Sequence, residues 1–292
     1  MKDTSYVVFS DSCSDLTPEL IREADLNIIP MMFRLEEKDY YDYPDHREIN
    51  MHDFYDKLRA GSLSKTSQIT PGRYVEILTP FLEKGKDILL TVFSSALSST
   101  FDSACSAAAI LRENFPKRRI EVIDSLSASG GQGFLNYHLG LNRNKGMSLE
   151  DNAAWAIKNR QHVAHWFTID SLQFLRRGGR LTASKAWLGT LLSLKPVLHV
   201  DNMGRLVPVD NVRGRKQSLI SISKHFANTA LNPAKNPVMI LHADDADAAK
   251  FLGNLLTKKF GVTKISYANI GPVIGSHSGQ NTIALFFFAN SR

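Results

Sequence analysis

The chain has 292 residues, 43% of them hydrophobic, enough for one large domain or two ordinary ones. Its 35 Lys and Arg against 29 Asp and Glu give a net charge of +6, a mild excess that does not form the stripe of a nucleic-acid binder. Cys13 and Cys105 stand far apart with no CxxC, His162 and His165 form an HxxH without an acidic ligand beside it, and no apolar run approaches a membrane span. The expectation is therefore a protein with no metal, no nucleic acid and no stable membrane insertion. No secretory pattern precedes the first apolar run, so the expected compartment is a reducing cytoplasm.

Residues 6–9 read as a buried strand ending in Asp11-Ser12-Cys13-Ser14-Asp15, with a helix opening at Thr17-Pro18. Residues 27–33 read as the next strand, and 36–48 are polar and aromatic without a period. A short amphipathic helix at 50–58 shows Met51, Phe54 and Leu58 on one face. Thr70 and Pro71 then open a second helix, which Gly85 closes. Residues 88–93 are almost wholly apolar, as a strand covered on both faces must be. An alanine-rich helix runs on to about residue 114, and residues 120–123 form a further strand. Helices are expected after Gly133 and, in capping-box style, from Ser148.

Beyond a soft boundary near residue 160 the pattern changes. A strand at 163–169 is followed by a short helix at 172–177 that stops at Gly178-Gly179. Residues 196–200 and 206–209 read as a hairpin around Asp201-Asn202-Met203-Gly204. A helix near 218–226, a strand at 238–242, a helix at 246–260 and strands at 264–268 and 283–288 complete the chain. The expected fold class is α/β with two domains, a mostly parallel sheet over 1–160 and a mixed α/β unit over 161–292.

Several loops beyond strand ends are rich in hydroxyls and glycine, where open α/β sheets bind ligands. Ser98 and the stretch 129–133 stand at helix starts, which favour anions; simple capping explains any one of them, but several together point to a shared anionic site. No GxxxxGK[ST] phosphate loop occurs, and Gly131-Gln132-Gly133 lacks the third glycine of a dinucleotide fingerprint. Gly275-Ser276-His277-Ser278-Gly279 has His where a hydrolase elbow needs its serine. The carboxylates of 11–15 are explained more simply by turn and capping chemistry than by a metal.

The ordered series of loops resembles the DegV family. It comprises Asp11-Ser12-Cys13-Ser14-Asp15-Leu16, Lys65-Thr66-Ser67-Gln68, Ser94-Ser95-Ala96-Leu97-Ser98-Ser99-Thr100-Phe101, Asp124-Ser125 and Gly131-Gln132-Gly133. It continues with Gly178-Gly179-Arg180-Leu181, Lys195-Pro196, Arg213-Gly214-Arg215-Lys216 and Gly271-Pro272-Val273-Ile274-Gly275-Ser276-His277. The resemblance implies a two-domain fold with the lipid site between the domains. The protein would bind one long-chain fatty acid, use no cofactor, and present the carboxylate to a separate ATP-dependent fatty-acid kinase for acyl-phosphate formation and phospholipid synthesis. Catalysis would then belong to the partner.

It further implies that Thr66 and Ser98 meet the carboxylate, with Ser67, Ser94, Ser95, Arg180 and His277 near the head group. Arg213 matches a kinase-facing position, and Arg215 and Lys216 extend the same basic loop. The sequence departs from the family pattern at Ile69, where proline is usual, at Ser99, where glycine is usual, and at Gln280-Asn281, where Pro-Gly is common. The alternative is a stand-alone enzyme acting on a small carboxylated or phosphorylated substrate in the same cleft.

Overall fold

The computed structural model describes residues 5–181 and 194–292. The chain begins with β1 (Tyr6–Asp11), a single 3-10 turn at Ser12–Ser14, and α1 (Pro18–Ala24), whose first turn carries Pro18 after the Thr17 cap. Then come β2 (Leu26–Ile29), β3 (Met32–Leu35), β4 (Lys38–Tyr41), α2 (Met51–Arg59) and β5 (Ser64–Ser67). The parallel unit resumes with α3 (Pro71–Glu83), β6 (Asp87–Val92), α4 (Thr100–Asn114), β7 (Ile120–Asp124), α5 (Gly130–Asn144) and α6 (Leu149–Asn159).

The second half contains β8 (Val163–Thr168), α7 (Gln173–Arg177), β9 (Leu194–Val200), β10 (Leu206–Arg213) and α8 (Arg215–Thr229). It closes with β11 (Val238–His242), α9 (Ala246–Phe260), β12 (Ile265–Asn269), α10 (Pro272–Ser278) and β13 (Ile283–Phe288).

The first sheet, in the order β2-β1-β6-β7, is parallel throughout. The second, β10-β9-β8-β13-β11-β12, is antiparallel except for the β11–β12 pair. A small antiparallel sheet, β4-β3-β5, sits beside them and holds Thr66 opposite Phe33.

Three differences from the sequence expectation have local causes. The strand expected over 27–33 is two strands in two sheets, divided at Pro30, which has no N–H to continue a ladder. The aperiodic stretch 36–48 supplies β4, an edge strand that pairs only with β3 and needs no buried alternation. The loop expected around 271–277 is the short helix α10, opened by Pro272.

The period-2 alternation of β8 and β13 divides the interior. Ile283, Leu285 and Phe287, with Ala164 and Trp166, pack under α8 and α9 in one cluster. Ala284, Phe286 and Phe167 face the other way and join the larger cluster shared with the parallel sheet. That inward face forms part of a cavity wall.

Candidate functional site

A cavity of about 250 Å³ lies between the inward face of β8–β13 and the loops of the N-terminal half. Phe167, Ala284 and Phe286 come from the sheet, Cys13 and Met31 from the turns after β1 and β2, and Val273 and Ile274 from α10. Gly131 at the start of α5 is required here, because a Cβ on it would stand 1.8 Å from His165 Nε2. His165 is buried, donates from Nδ1 to the Val163 carbonyl at 2.9 Å, and keeps Nε2 against that glycine. Burial holds its pKa well below the usual histidine range, so it is a neutral part of the wall.

One end of the cavity is polar, and hydrogen bonds link its members. Thr66 Oγ1 and His277 Nε2 are 2.8 Å apart. Among the described residues His277 Nδ1 has no hydrogen-bond partner, and it faces Gly178, where a Cβ would stand 2.2 Å away. With the proton on Nε2, the ring donates to Thr66. The Thr66 hydroxyl hydrogen is thereby left free to point at a ligand. Burial first, then the positive charges of Arg180 and Arg177, push the His277 pKa down to about 4, so the ring is neutral near pH 7.

Arg180 Nε donates to the Leu97 carbonyl at 3.0 Å, and Nη1 to the Gly178 carbonyl. The guanidinium thus ties the end of α7 to the loop bearing Ser98. Ser98 Oγ accepts from Thr100 N at 3.2 Å and lies 2.9 Å from Thr100 Oγ1. When Thr100 donates in that pair, the Ser98 hydroxyl hydrogen is also free for a ligand.

Of the residues expected around a head group, Thr66, Ser67, Ser98, Arg180 and His277 line this cavity, together with Gln68, Ser99, Ser129 and Ser278. Ser94 and Ser95 are engaged elsewhere. Ser94 Oγ donates to the Gly204 carbonyl at 2.9 Å and Ser95 Oγ to Asp124 at 2.5 Å, fixing the loop after β6 to its neighbours. The basic loop also divides. Arg215 pairs with Asp245 at 2.8 Å and donates to the Asn281 carbonyl, and Lys216 lies over the Phe251 ring at 5.8 Å. Arg213, the last residue of β10, is exposed and makes no ion pair among the described residues.

Sequence reasoning gave no functional weight to Asp42, which is buried beside Asp15 near the start of α10. Its segment carries no periodicity to mark it as interior. The one grouping with metal-ligand spacing among the described residues is His52, Asp56 and Asp244. Arg59 already bridges its two acids at 2.6 Å each, which occupies the place a cation would take.

A family model described as an uncharacterised protein of the DegV family matches residues 5–290. The chain belongs to the DegV family. A DegV domain-containing protein of Clostridium perfringens is 35% identical over 98% of this chain and 98% of its own length. The solved structure of a DegV family protein from Thermus thermophilus, described by its fatty acid binding, is 30% identical with a TM-score of 0.87 over 99% of this chain and all of that one. DegV from Bacillus subtilis, described as a fatty acid binding protein, is 27% identical with a TM-score of 0.82 over 97% of this chain and 99% of that one. This DegV chain therefore shares the two-sheet architecture across nearly its full length, and no helix among its described residues is long and apolar enough to cross a membrane.

Proposed function

We propose that this DegV chain binds one long-chain fatty acid and presents its carboxylate to a separate ATP-dependent kinase, which forms the acyl phosphate. The observation that carries the reading is the hydroxyl of Thr66, oriented by His277, at the polar end of an otherwise apolar cavity. The fatty-acid-binding proteins of the same fold from Thermus thermophilus and Bacillus subtilis support it.

A fatty acid needs two unlike surroundings. Burying about 14 methylenes is worth roughly 11 kcal/mol gross, at about 0.8 kcal/mol per CH₂, less the cost of ordering the chain. The carboxylate must exchange water for donors. Thr66 and Ser98 are neutral donors and leave an oxygen lone pair able to attack a phosphoryl group. A bidentate arginine clamp would compete with that attack, and the Arg180 guanidinium is instead held by two carbonyls. The sequence has no phosphate loop, which supports assigning the nucleotide chemistry to the partner.

The test is Thr66→Val combined with Ser98→Ala. Each lost hydrogen bond to a charged group costs roughly 1.5–3 kcal/mol. Fatty-acid affinity in a displacement titration should therefore drop at least about 100-fold while the thermal transition stays in place. Unchanged affinity in a folded double variant would place the carboxylate elsewhere.

A further inference from the structure

The polar end of the cavity is held from behind by carboxylates that have no cationic partner among the described residues. Asp11, Asp15 and Asp42 are all buried, and none of them takes part in an ion pair among the described residues. Asp15 Oδ1 accepts the Gly271 N–H at 3.0 Å, and Oδ2 accepts the Ser129 hydroxyl at 2.6 Å. The Val273 N–H and the Ser12 hydroxyl approach Asp42. A Cβ on Gly271 would stand 2.7 Å from Asp15 Oδ1 and 3.3 Å from both Asp42 oxygens, so the two carboxylates converge on the backbone that opens α10. Asp42 is 3% exposed, and its Oδ2 has no hydrogen-bond partner among the described residues.

Each of these contacts leads into the lipid cavity. α10 supplies Val273, Ile274, His277 and Ser278 to its lining, and Ser129 is a lining residue too. On their other side, Asp15 and Asp42 line a second, polar pocket of about 390 Å³ with Ser12, Ser14 and His46, which gives water a route to them. The N–H groups of Gly271 and Val273 face the carboxylates and oppose a metal cation there, whereas a proton on one of the two carboxylates relieves the repulsion between them.

We propose that Asp15 and Asp42 form a proton-controlled clasp on α10, closed while at least one of the two carboxylates carries a proton and loosened by their mutual repulsion when both ionise. The clasp rests on the fatty-acid reading of the same cavity and adds its regulation: the ligand is held tightly at mildly acidic pH and released as pH rises. Burial first raises Asp15 to about 7 and holds Asp42 well above the carboxylate range, which puts the change within reach of a cell. The surrounding groups do not supply a counter-charge. Asp11, itself raised to about 6, adds negative charge; burial keeps Cys13, Tyr55 and Tyr74 neutral by pushing their pKa values up. His46 is pushed down by burial, and Arg59 on α2 is committed to Asp56 and Asp244. Glu19, Asp45 and Tyr267 at the polar pocket bring no positive charge.

The experiment is a fatty-acid titration from about pH 6 to 8.5 on the wild type and on Asp42→Asn, with hydrogen exchange of the 271–278 amides followed in the wild type over the same range. One linked proton changes affinity by up to about tenfold per pH unit, so the wild type should weaken roughly tenfold or more across the range and Asp42→Asn should stay level. Ionisation of the fatty acid itself affects both proteins alike. Protection of the 271–278 amides, corrected for intrinsic exchange, should fall with the wild-type affinity. Parallel affinity profiles, or amide protection that does not change with pH, would overturn the clasp. If fatty acid fails to bind at every pH, the lipid reading falls, and the exchange measurement still decides whether the carboxylates hold α10.

Discussion

Gly178→Ala tests the polar end of the cavity without touching a group proposed to meet the ligand. Gly178 has φ −75° and ψ −9°, which alanine adopts without strain. The added methyl would stand 2.2 Å from His277 Nδ1, 3.0 Å from Cε1 and 3.3 Å from Cγ. Carbon contacts settle near 3.5 Å, so the ring must retreat by roughly 1 Å. Its hydrogen bond to Thr66 is 2.8 Å long and does not survive that displacement. Thr66 then loses the donor that orients its hydroxyl, and the carboxylate loses one well-directed hydrogen bond. The loss is roughly 1.5–3 kcal/mol, or about 10- to 150-fold in affinity. Gly72→Ala is the control, because a Cβ there has nothing within 4 Å. Displacement of a fluorescent fatty acid gives the affinities, and thermal melts confirm the fold. Gly178→Ala binding within about twofold of wild type, with an unchanged melt, would refute the His277–Thr66 argument.

Two further predictions separate the remaining roles. Arg213→Ala should leave fatty-acid affinity nearly untouched while slowing acyl-phosphate formation with the proposed kinase partner, most at low kinase concentration, because a rim charge acts mainly on association. Arg215→Ala should instead lower the melting temperature, since it removes the partner of Asp245 and the donor to Asn281. Loss of bound lipid in Arg213→Ala would remove it from the docking role. Stability should also fall from about pH 6.5 to 8: Asp15 is held at about 7 against 3.8 unfolded, so the folded state keeps a proton that the unfolded state has lost. A group raised in this way contributes stability at low pH that disappears as pH rises through its folded value. Below about pH 6.5 the opposite term enters, because His46, His138, His165, His199, His242 and His277 are all held down by burial and together resist more protons than the raised acids retain. Thermal melts across this range should therefore pass through a maximum near pH 6.5, and a melting temperature that rises steadily to pH 8 would contradict the buried acids.

The parts of the fold legible in the sequence are those where one periodicity covers a whole element. The helix expected at 246–260 is Ala246–Phe260, and the strand expected at 283–288 is Ile283–Phe288, because both carry sustained patterns bounded by clear stops. β4 and the division at Pro30 were less legible, since an edge strand has little burial to encode and two short strands in different sheets look like one apolar run. At the site, Thr66 and His277 could be named from the resemblance, but their bond joins residues 211 positions apart and only the fold brings them together. Ser94 and Ser95 had the same hydroxyl signal as Ser98. What separates them is which neighbour each one meets, Gly204 and Asp124 in one case and the cavity in the other. Asp42 gave no signal as a site residue, and Gly178 stood out only as part of Gly178-Gly179-Arg180-Leu181, because a buried charge and a close approach are properties of packing.

Native mass spectrometry of the freshly purified protein decides whether the cavity carries a fatty acid. The expected result is a mass excess of roughly one acyl chain per protein molecule, on the scale of about 16–18 carbons, which organic extraction releases as free fatty acid. Repeated preparations that carry no lipid and take up none when fatty acid is added would contradict it.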